Sequence, residues 1–144
     1  MPAPVLVVED DEDGREIMRL LLEDAGYTML EAEGGDAALE LLREPAPARM
    51  VVVLDLLMRH GTGFELLAAV AQEPALAERH AYIVCSAHKR EPEDIGPHFA
   101  ALLQQLGVPF IAKPYDIEVM LATVAEASRR LDVAARPWTA SDTA

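Results

Sequence analysis

The stretch that decides the fold is MVVVLDLLMRHGTG, residues 50–63, in which an almost unbroken apolar run ends at a single carboxylate, Asp55. The run is rich in β-branched side chains at 51–54, which is typical of a strand buried on both faces at the centre of a parallel sheet. Asp55 then closes that strand at its carboxyl end. Ligands of open α/β sheets bind at this edge, although many such carboxylates only cap the next helix.

Apolar runs and helical patterns alternate along the rest of the chain. The other predicted strands are 4–8, 27–32, 81–85 and 108–112. The predicted helices are 14–25, 35–44, 63–72, 98–106 and 117–131. Strict alternation of strand and helix, with short connections, predicts an α/β fold with a five-stranded parallel sheet and helices on both faces.

The first helix shows how its ends and its buried face are predicted. Asp13 is a good N-cap, and Gly26 ends the helix. The expected buried stripe of this helix consists of Ile17, Leu20, Leu21 and Ala25. In the same way, Pro74 is expected to end the third helix, with a connection to the fourth strand after it.

Length and composition favour a single domain. The chain has 144 residues, of which 1–132 are predicted to form the domain and 133–144 a disordered tail. Its single cysteine excludes an internal disulfide. No basic region precedes the first apolar run, as a signal peptide requires, and no run approaches the ~18 residues of a membrane span, so a cytoplasmic protein without membrane contact is expected.

The balance of charge excludes one class of partner. The chain carries 25 acidic and 12 basic residues, a formal net charge of −13. Such a surface repels nucleic acid phosphates, so direct DNA or RNA binding is not expected. The same charge suits a metal site or a partner with a basic face, but acidity on its own more often reflects solubility alone.

Polar side chains close four of the five predicted strands. They are Glu9 and Asp10 after the first, Asp55 after the third, Ser86 after the fourth and Lys113 after the fifth. Three carboxylates meeting at one edge repel each other unless one takes up a proton or a cation binds, and oxygen ligands favour Mg²⁺. A lysine and a hydroxyl at the same edge suit a phosphoryl group on or beside Asp55.

The chain resembles the receiver domain of two-component response regulators. The resemblance covers roughly 4–131 and rests on five motifs in the right order: VLVVEDDED, VVVLDLLM, GTGFELL, IVCSAH and IAKPYD. It implies a flavodoxin-like sheet with strand order 2-1-3-4-5. It also implies a stand-alone phosphoacceptor switch without an output domain, which catalyses only its own phosphoryl transfer and dephosphorylation and is not otherwise an enzyme.

The same resemblance implies a set of metal ligands. Asp55 is the phosphoacceptor and also a ligand of Mg²⁺, for which Mn²⁺ can substitute. Asp10 is a direct ligand, and Glu9 holds the ion largely through water. The backbone carbonyl of Leu57 completes the set.

The resemblance further implies how the phosphoryl group is held and sensed. Ser86 would hydrogen-bond one phosphoryl oxygen, and Lys113 would pair with another. Ser86 and Phe110 would form the switch, in which the ring turns inward when the hydroxyl moves. The alternative for Phe110 is a permanently buried core ring.

Partners and rival functions follow from the family pattern and from departures from it. A sensor histidine kinase or a histidine phosphotransfer protein would be the phosphodonor, and the downstream protein target is unknown. Arg59 stands where the family usually has proline, and the longer segment 88–97 leaves a homodimer open. The first rival is a pseudo-receiver, an interaction module that works without phosphorylation. The second is a phosphatase, but Leu57 stands where such enzymes need an acid.

Overall fold

A computed structural model describes residues 2–56, 58, 62–87 and 96–135 of the chain, the last three of these residues as backbone alone. Its elements are β1 (Val5–Val8), α1 (Glu12–Asp24), β2 (Met29–Ala32), α2 (Gly35–Arg43), β3 (Val51–Leu54), α3 (Gly63–Ala71), α4 (Pro74–Arg79), β4 (Ala81–Ser86), α5 (Pro97–Leu106), β5 (Phe110–Ala112) and α6 (Ile117–Ala135).

The strands form one sheet in the order β2-β1-β3-β4-β5, and every neighbouring pair is parallel. The predicted α/β fold and its strand order are therefore confirmed. The strand β3 is buried along its whole length, as its run of β-branched side chains predicts.

The sheet separates two apolar layers, because successive side chains of a strand point to opposite faces. On one face, Leu6 and Val52 pack with side chains of α2, α3, α4 and α5. On the other face, Val5 and Val51 pack with side chains of α1 and α6. With both faces covered, the open edge at the carboxyl ends of the strands is left for polar groups.

The first helix differs from its prediction in its cap and in its buried face. Asp11, not Asp13, is the N-cap: its backbone is extended, and its carboxylate accepts a hydrogen bond from the Gly14 N–H at 3.2 Å. The buried side chains are Met18 and Leu22. The predicted stripe is wrong at three of its four positions: Ile17 and Leu20 are 60% and 65% exposed, Ala25 is exposed as well, and only Leu21 is half-buried. Two overlapping apolar stripes run along this helix, and packing on β1 selects the other one.

A short helix, α4, occupies a stretch that the sequence indicated to be a connection. Pro74 does not only end the third helix; it begins the next one, at a first-turn position where its missing N–H costs nothing. Leu76 of this helix is buried in the layer with α2 and α3. The local signal was misread because proline both stops one helix and starts another.

Smaller differences concern element ends. The strands β2 and β5 begin two residues later than predicted, at Met29 and Phe110. The helix α6 continues to Ala135, past its predicted end and into the predicted tail, of which 136–144 lie outside the described residues. No helix of the described ranges is long and apolar enough to cross a membrane.

Candidate functional site

The candidate site lies where β1 and β3 end side by side. Val8 pairs with Leu54 in the parallel register, and the Asp55 N–H donates to the Val8 carbonyl at 3.1 Å. The next residue of β1, Glu9, is 9% exposed, and Asp10 after it is half-buried. The two strands therefore deliver their carboxylates to the same edge, as predicted.

The start of α3 fixes Asp55 from the other side. The Gly63 N–H donates to the Leu56 carbonyl at 3.1 Å, which folds the chain back toward the end of β3. A Cβ atom at Gly63 would lie inside contact distance of the Asp55 carbonyl oxygen. Only glycine permits this close approach, so the glycine of the loop after Asp55 has a structural reason.

Lys113 joins the carboxylates across the sheet edge. Its Nζ atom donates to Asp55 Oδ2 at 3.1 Å and to Glu9 Oε2 at 3.4 Å. All three side chains are mostly buried, with exposed fractions of 28%, 13% and 12% for Lys113, Asp55 and Glu9. One ammonium thus bridges acids from the first and third strands, reaching over β4 to do so.

The fourth strand ends at Ser86, which is fully buried. Its carbonyl accepts a hydrogen bond from the Lys113 N–H at 3.0 Å, so the ends of β4 and β5 are tied together. Cys85 packs in the layer of α1 and α6, and strand alternation directs Ser86 to the other face. Burial raises the pKa of the Cys85 thiol to about 12, which keeps it protonated and unreactive.

The charges at this edge are unbalanced. Burial, followed by a hydrogen bond to Asp55, raises the pKa of Glu9 to about 7, although Lys113 opposes the shift. Burial alone would lower the pKa of Lys113, but Asp55 and Glu9 outweigh it and the pKa is raised. The lysine is therefore charged, and a second full negative charge beside Asp55 is only partly compensated.

The donor set fits a hard cation, although no group of three potential ligands within the described ranges is close enough to surround an ion. Glu9, Asp10 and Asp55 offer only oxygen, and Mg²⁺ needs just one or two carboxylates beside its waters. Burial is the main cause of the raised pKa of Glu9, but the negative charge of Asp55 contributes to it, and a cation between the two acids would offset that repulsion. The predicted carbonyl ligand, Leu57, lies outside the described residues, as does Arg59.

Phe110 begins β5 and is half-buried against the layer formed with α2 to α5. In the parallel register of β4 and β5, Phe110 is the partner of Val84. The predicted switching of this ring stays a prediction.

Sequence reasoning missed one residue of the site, Arg15. Its Nη1 atom donates to the Glu9 carbonyl at 2.8 Å from the first turns of α1. The only available signal was its place as the first cation after five consecutive acids, 9–13. A contact to a backbone carbonyl leaves no residue-type pattern that could have predicted it.

An open groove of about 980 Å³ adjoins the site between α1 and the segment 113–117, which leads into α6. Glu9, Asp55 and Lys113 line it at the edge of the sheet, and the exposed side chains of Ile17 and Ile117 line it further out. The carboxylates can therefore be reached from solvent on this side.

Comparison with known proteins agrees with this geometry. A family model described as response regulator receiver domain matches residues 5–125. The phosphate regulon transcriptional regulatory protein PhoB of Klebsiella pneumoniae is 27% identical over 131 residues, which are 91% of this chain and 54% of PhoB. The chain spans about half the length of such curated relatives.

Solved structures show the same architecture. A response regulator receiver protein from Pseudomonas putida is 28% identical, with a TM-score of 0.69 over 88% of this chain and 98% of that one. The chemotaxis protein CheY4 of Vibrio cholerae is 24% identical, with a TM-score of 0.70 over 88% of this chain and 99% of its own. At that lower identity, the second likeness bears on the fold alone.

Proposed function

The chain belongs to the response regulator receiver domain family, and we propose that it is a phosphoacceptor whose Asp55 takes up a phosphoryl group in a Mg²⁺-dependent reaction. One observation carries this proposal. The half-buried Lys113 ammonium lies 3.1 Å from Asp55 Oδ2, at the edge where Glu9 and Asp10 also lie. An acid held in this way keeps a nucleophilic oxygen and has a cation ready for the oxygens of an incoming phosphoryl group.

The proposed step is a transfer between two atoms. A carboxylate oxygen of Asp55 forms a bond to phosphorus, and the bond from phosphorus to the donor, a phosphohistidine nitrogen or an acyl oxygen, breaks with its electron pair. Lys113 pairs with a phosphoryl oxygen as charge builds on it. Glu9, Asp10 and Asp55, with the Leu57 carbonyl, would hold the ion. When bound, Mg²⁺, or Mn²⁺ in its place, would supply further neutralisation of those oxygens.

The response to phosphorylation is proposed to run through β4 and β5. Ser86 is fully buried at the end of β4, and its carbonyl accepts a hydrogen bond from the backbone N–H of Lys113, which supports a coupled response of the two residues. A phosphoryl oxygen that draws the Ser86 hydroxyl would change the space available to Phe110. The consequence would be an altered surface on α5, β5 and α6 for a protein partner.

The proposed partners follow from the same chemistry. The phosphodonor would be a sensor histidine kinase or a histidine phosphotransfer protein in the cytoplasm, where ATP supplies the phosphoryl group. The target would be a protein, because a net charge of −13 disfavours nucleic acid. We propose no reaction on an outside substrate: the chain would catalyse only its own phosphorylation and dephosphorylation.

Intact-mass measurement after incubation with Mg²⁺ and a small acyl phosphate tests the proposal. The wild-type protein is expected to gain one phosphoryl group, while Asp55→Asn gains none, because the amide is not a nucleophile. A chelator should abolish the gain. An unmodified wild type, or an adduct that survives Asp55→Asn, would contradict the proposal and favour an interaction module that works without phosphorylation.

A further inference from the structure

Arg15 is a cation held almost out of water in α1, with a side chain only 11% exposed. Its Nη1 atom donates to the Glu9 carbonyl at 2.8 Å. Its Nε atom lies 3.5 Å from Glu31 Oε1, and its Nη2 atom lies 3.7 Å from Glu33 Oε1. One guanidinium therefore joins three parts of the chain: α1, the end of β1 and the end of β2.

The peptide groups of Glu9 are fixed on both sides by these contacts. The Glu9 N–H donates to the Ala32 carbonyl of β2 at 3.0 Å, and the Glu9 carbonyl accepts from Arg15. Two residues later, Asp11 is bonded to Gly14 as the cap of α1. The segment 9–11 is thus tied at both ends, and it carries two of the three carboxylates of the site.

Gly14 lies where the first turn of α1 comes close to the side chain of Glu9. A Cβ atom at Gly14 would lie 3.3 Å from Glu9 Oε1, so the first turn of α1 packs directly on the side chain of Glu9. The orientation of the Glu9 carboxylate therefore depends on how α1 sits against the end of β1. Arg15 is the side chain that connects these two parts.

We propose that Arg15 is a positioning residue for divalent-cation binding, which holds the backbone of Glu9 and Asp10 at the edge of the sheet where Asp55 lies. This inference rests on the proposed function, since the ion is the one that phosphoryl transfer at Asp55 requires. Arg15 does not contact the ion. It acts through the Glu9 carbonyl, by a part-buried hydrogen bond from a charged donor, and such bonds are stronger than those between neutral groups.

Charge and positioning predict opposite results, which makes the inference testable. By Coulomb attraction alone, removing a positive charge next to the site would tighten the binding of a cation. Loss of positioning would weaken Mg²⁺ binding, because the ion would then have to order the carboxylates and the net free energy of binding would be smaller. The sign of the change in Mg²⁺ affinity therefore separates the two effects.

The experiment titrates Mg²⁺ into the full chain by calorimetry and compares Arg15→Gln, Arg15→Lys and Arg19→Gln with the wild type. Arg19 is the matched control: it lies one turn later on α1 and pairs with Glu23 at 3.0 Å and Glu31 at 2.9 Å. Arg15→Gln is expected to weaken Mg²⁺ binding roughly tenfold, the range typical of residues that orient metal ligands. Arg15→Lys should restore part of the affinity, and Arg19→Gln should not weaken it.

Phosphorylation by the small acyl phosphate supplies the second readout. Arg15→Gln should raise the Mg²⁺ concentration that gives half of the maximal rate and leave the maximal rate near that of the wild type. Unchanged or tighter Mg²⁺ binding by folded Arg15→Gln would overturn the inference, as would equal weakening in Arg19→Gln. Should Arg15→Gln not fold, Arg15→Lys decides: weaker binding supports positioning, and wild-type affinity overturns it. A wild type without Mg²⁺ affinity would contradict the proposed function as well.

Discussion

Lys113 is the residue on which the charge balance of the site depends. Its ammonium lies between Asp55 and Glu9, two acids that would otherwise repel each other in a place with little water. The pKa of Glu9 is raised, first by burial and then by its hydrogen bond to Asp55, so a proton on Glu9 is favoured over a second negative charge. Below about pH 7 the protein without a bound metal ion therefore favours a proton on Glu9.

The raised pKa of Glu9 predicts a definite dependence of stability on pH. Because this pKa is 4.5 ordinarily and about 7 in the folded protein, the folded state holds a proton that the unfolded state has lost between these values. The contribution of Glu9 to stability is therefore lost as the pH rises through this range, up to roughly 2 to 3 kcal/mol. Glu9→Gln, which does not titrate, should gain that amount over the wild type between about pH 5 and about pH 8.

Urea unfolding in the presence of a chelator measures this difference. The titrations that the two proteins share cancel when one free energy of unfolding is subtracted from the other. Adding Mg²⁺ at the higher pH provides the control. The ion should stabilise the wild type more than Glu9→Gln, since only the wild type has the carboxylate. A stability gap between the two proteins that is the same at both pH values would refute the assignment of the raised pKa to Glu9.

At the scale of the elements, His80 ties together the edge of the molecule opposite the site. The Met50 N–H at the start of β3 donates to His80 Nδ1 at 3.0 Å, so the ring proton is on Nε2, which lies 3.2 Å from the Leu42 carbonyl of α2. The Arg79 Nε atom of α4 lies 3.2 Å from the same ring nitrogen. Burial, and to a lesser extent Arg79 and Arg49, lower the pKa of His80, although the Leu42 carbonyl opposes them.

The lowered pKa of His80 predicts loss of stability in acid. Below pH 6.5, the ordinary pKa of histidine, His80 takes up a proton in the unfolded chain but not in the folded one. Stability therefore falls as the pH falls through this value. His80→Gln should remove this part of the pH dependence. At neutral pH the variant should be less stable by roughly 1 to 2 kcal/mol, because the Met50 N–H and the Leu42 carbonyl lose a fitted partner.

Urea unfolding midpoints of both proteins at about pH 7.5 and about pH 5.5 check this prediction. The stability of the wild type relative to His80→Gln should fall on acidification, since the titration of Glu9 is common to both proteins and cancels in the difference. Glu9→Gln is the control variant. Its substitution lies at the other edge of the sheet, and the variant keeps His80. Equal acid sensitivity of wild type and His80→Gln would show that protonation of this ring does not matter for folding.

Element boundaries show what the sequence could predict and what it could not. The alternation of apolar runs with helical patterns was sufficient for all five strands and for the parallel sheet, because short connections leave few alternatives. The choice between Asp11 and Asp13 as the cap of α1 was not predictable from residue types, since both are good caps. The backbone leaving β1 decides it. The helix α4 was missed because Pro74 was interpreted only as a terminator.

At the scale of the whole molecule, the sheet order assembles the site. Glu9, Asp55 and Lys113 are far apart in the chain, and the order β2-β1-β3-β4-β5 brings their strand ends to one edge. That convergence was predictable from the sequence once the strands were known to be parallel. The bridging position of Lys113 was not, because it depends on the reach of the side chain over β4. Neither was the position of Arg15, whose contacts with the described part of the chain are to the Glu9 carbonyl and to Glu31 and Glu33.

The fold also explains why the site remains accessible. Helices cover both faces of the sheet, and Asp55 lines the groove beside α1 at the carboxyl edge, so the proposed phosphodonor would approach from this edge. The acids of the loop after β1 and the lysine after β5 reach this edge from different strands. A phosphoryl group delivered there would meet three acids and one ammonium, which bonds to Asp55 at 3.1 Å and to Glu9 at 3.4 Å.

The most direct test of the central claim is to locate the phosphoryl group on the chain. Reduction of the phosphorylated protein with borohydride converts an aspartyl phosphate to homoserine, and peptide mass spectrometry then identifies the position. Homoserine should appear at position 55 alone, in wild type and in Arg19→Gln alike, and only when Mg²⁺ is present. Reduction product at Asp10 or Asp11, or none in a protein that has gained the phosphoryl mass, would contradict the assignment of Asp55 as the phosphoacceptor.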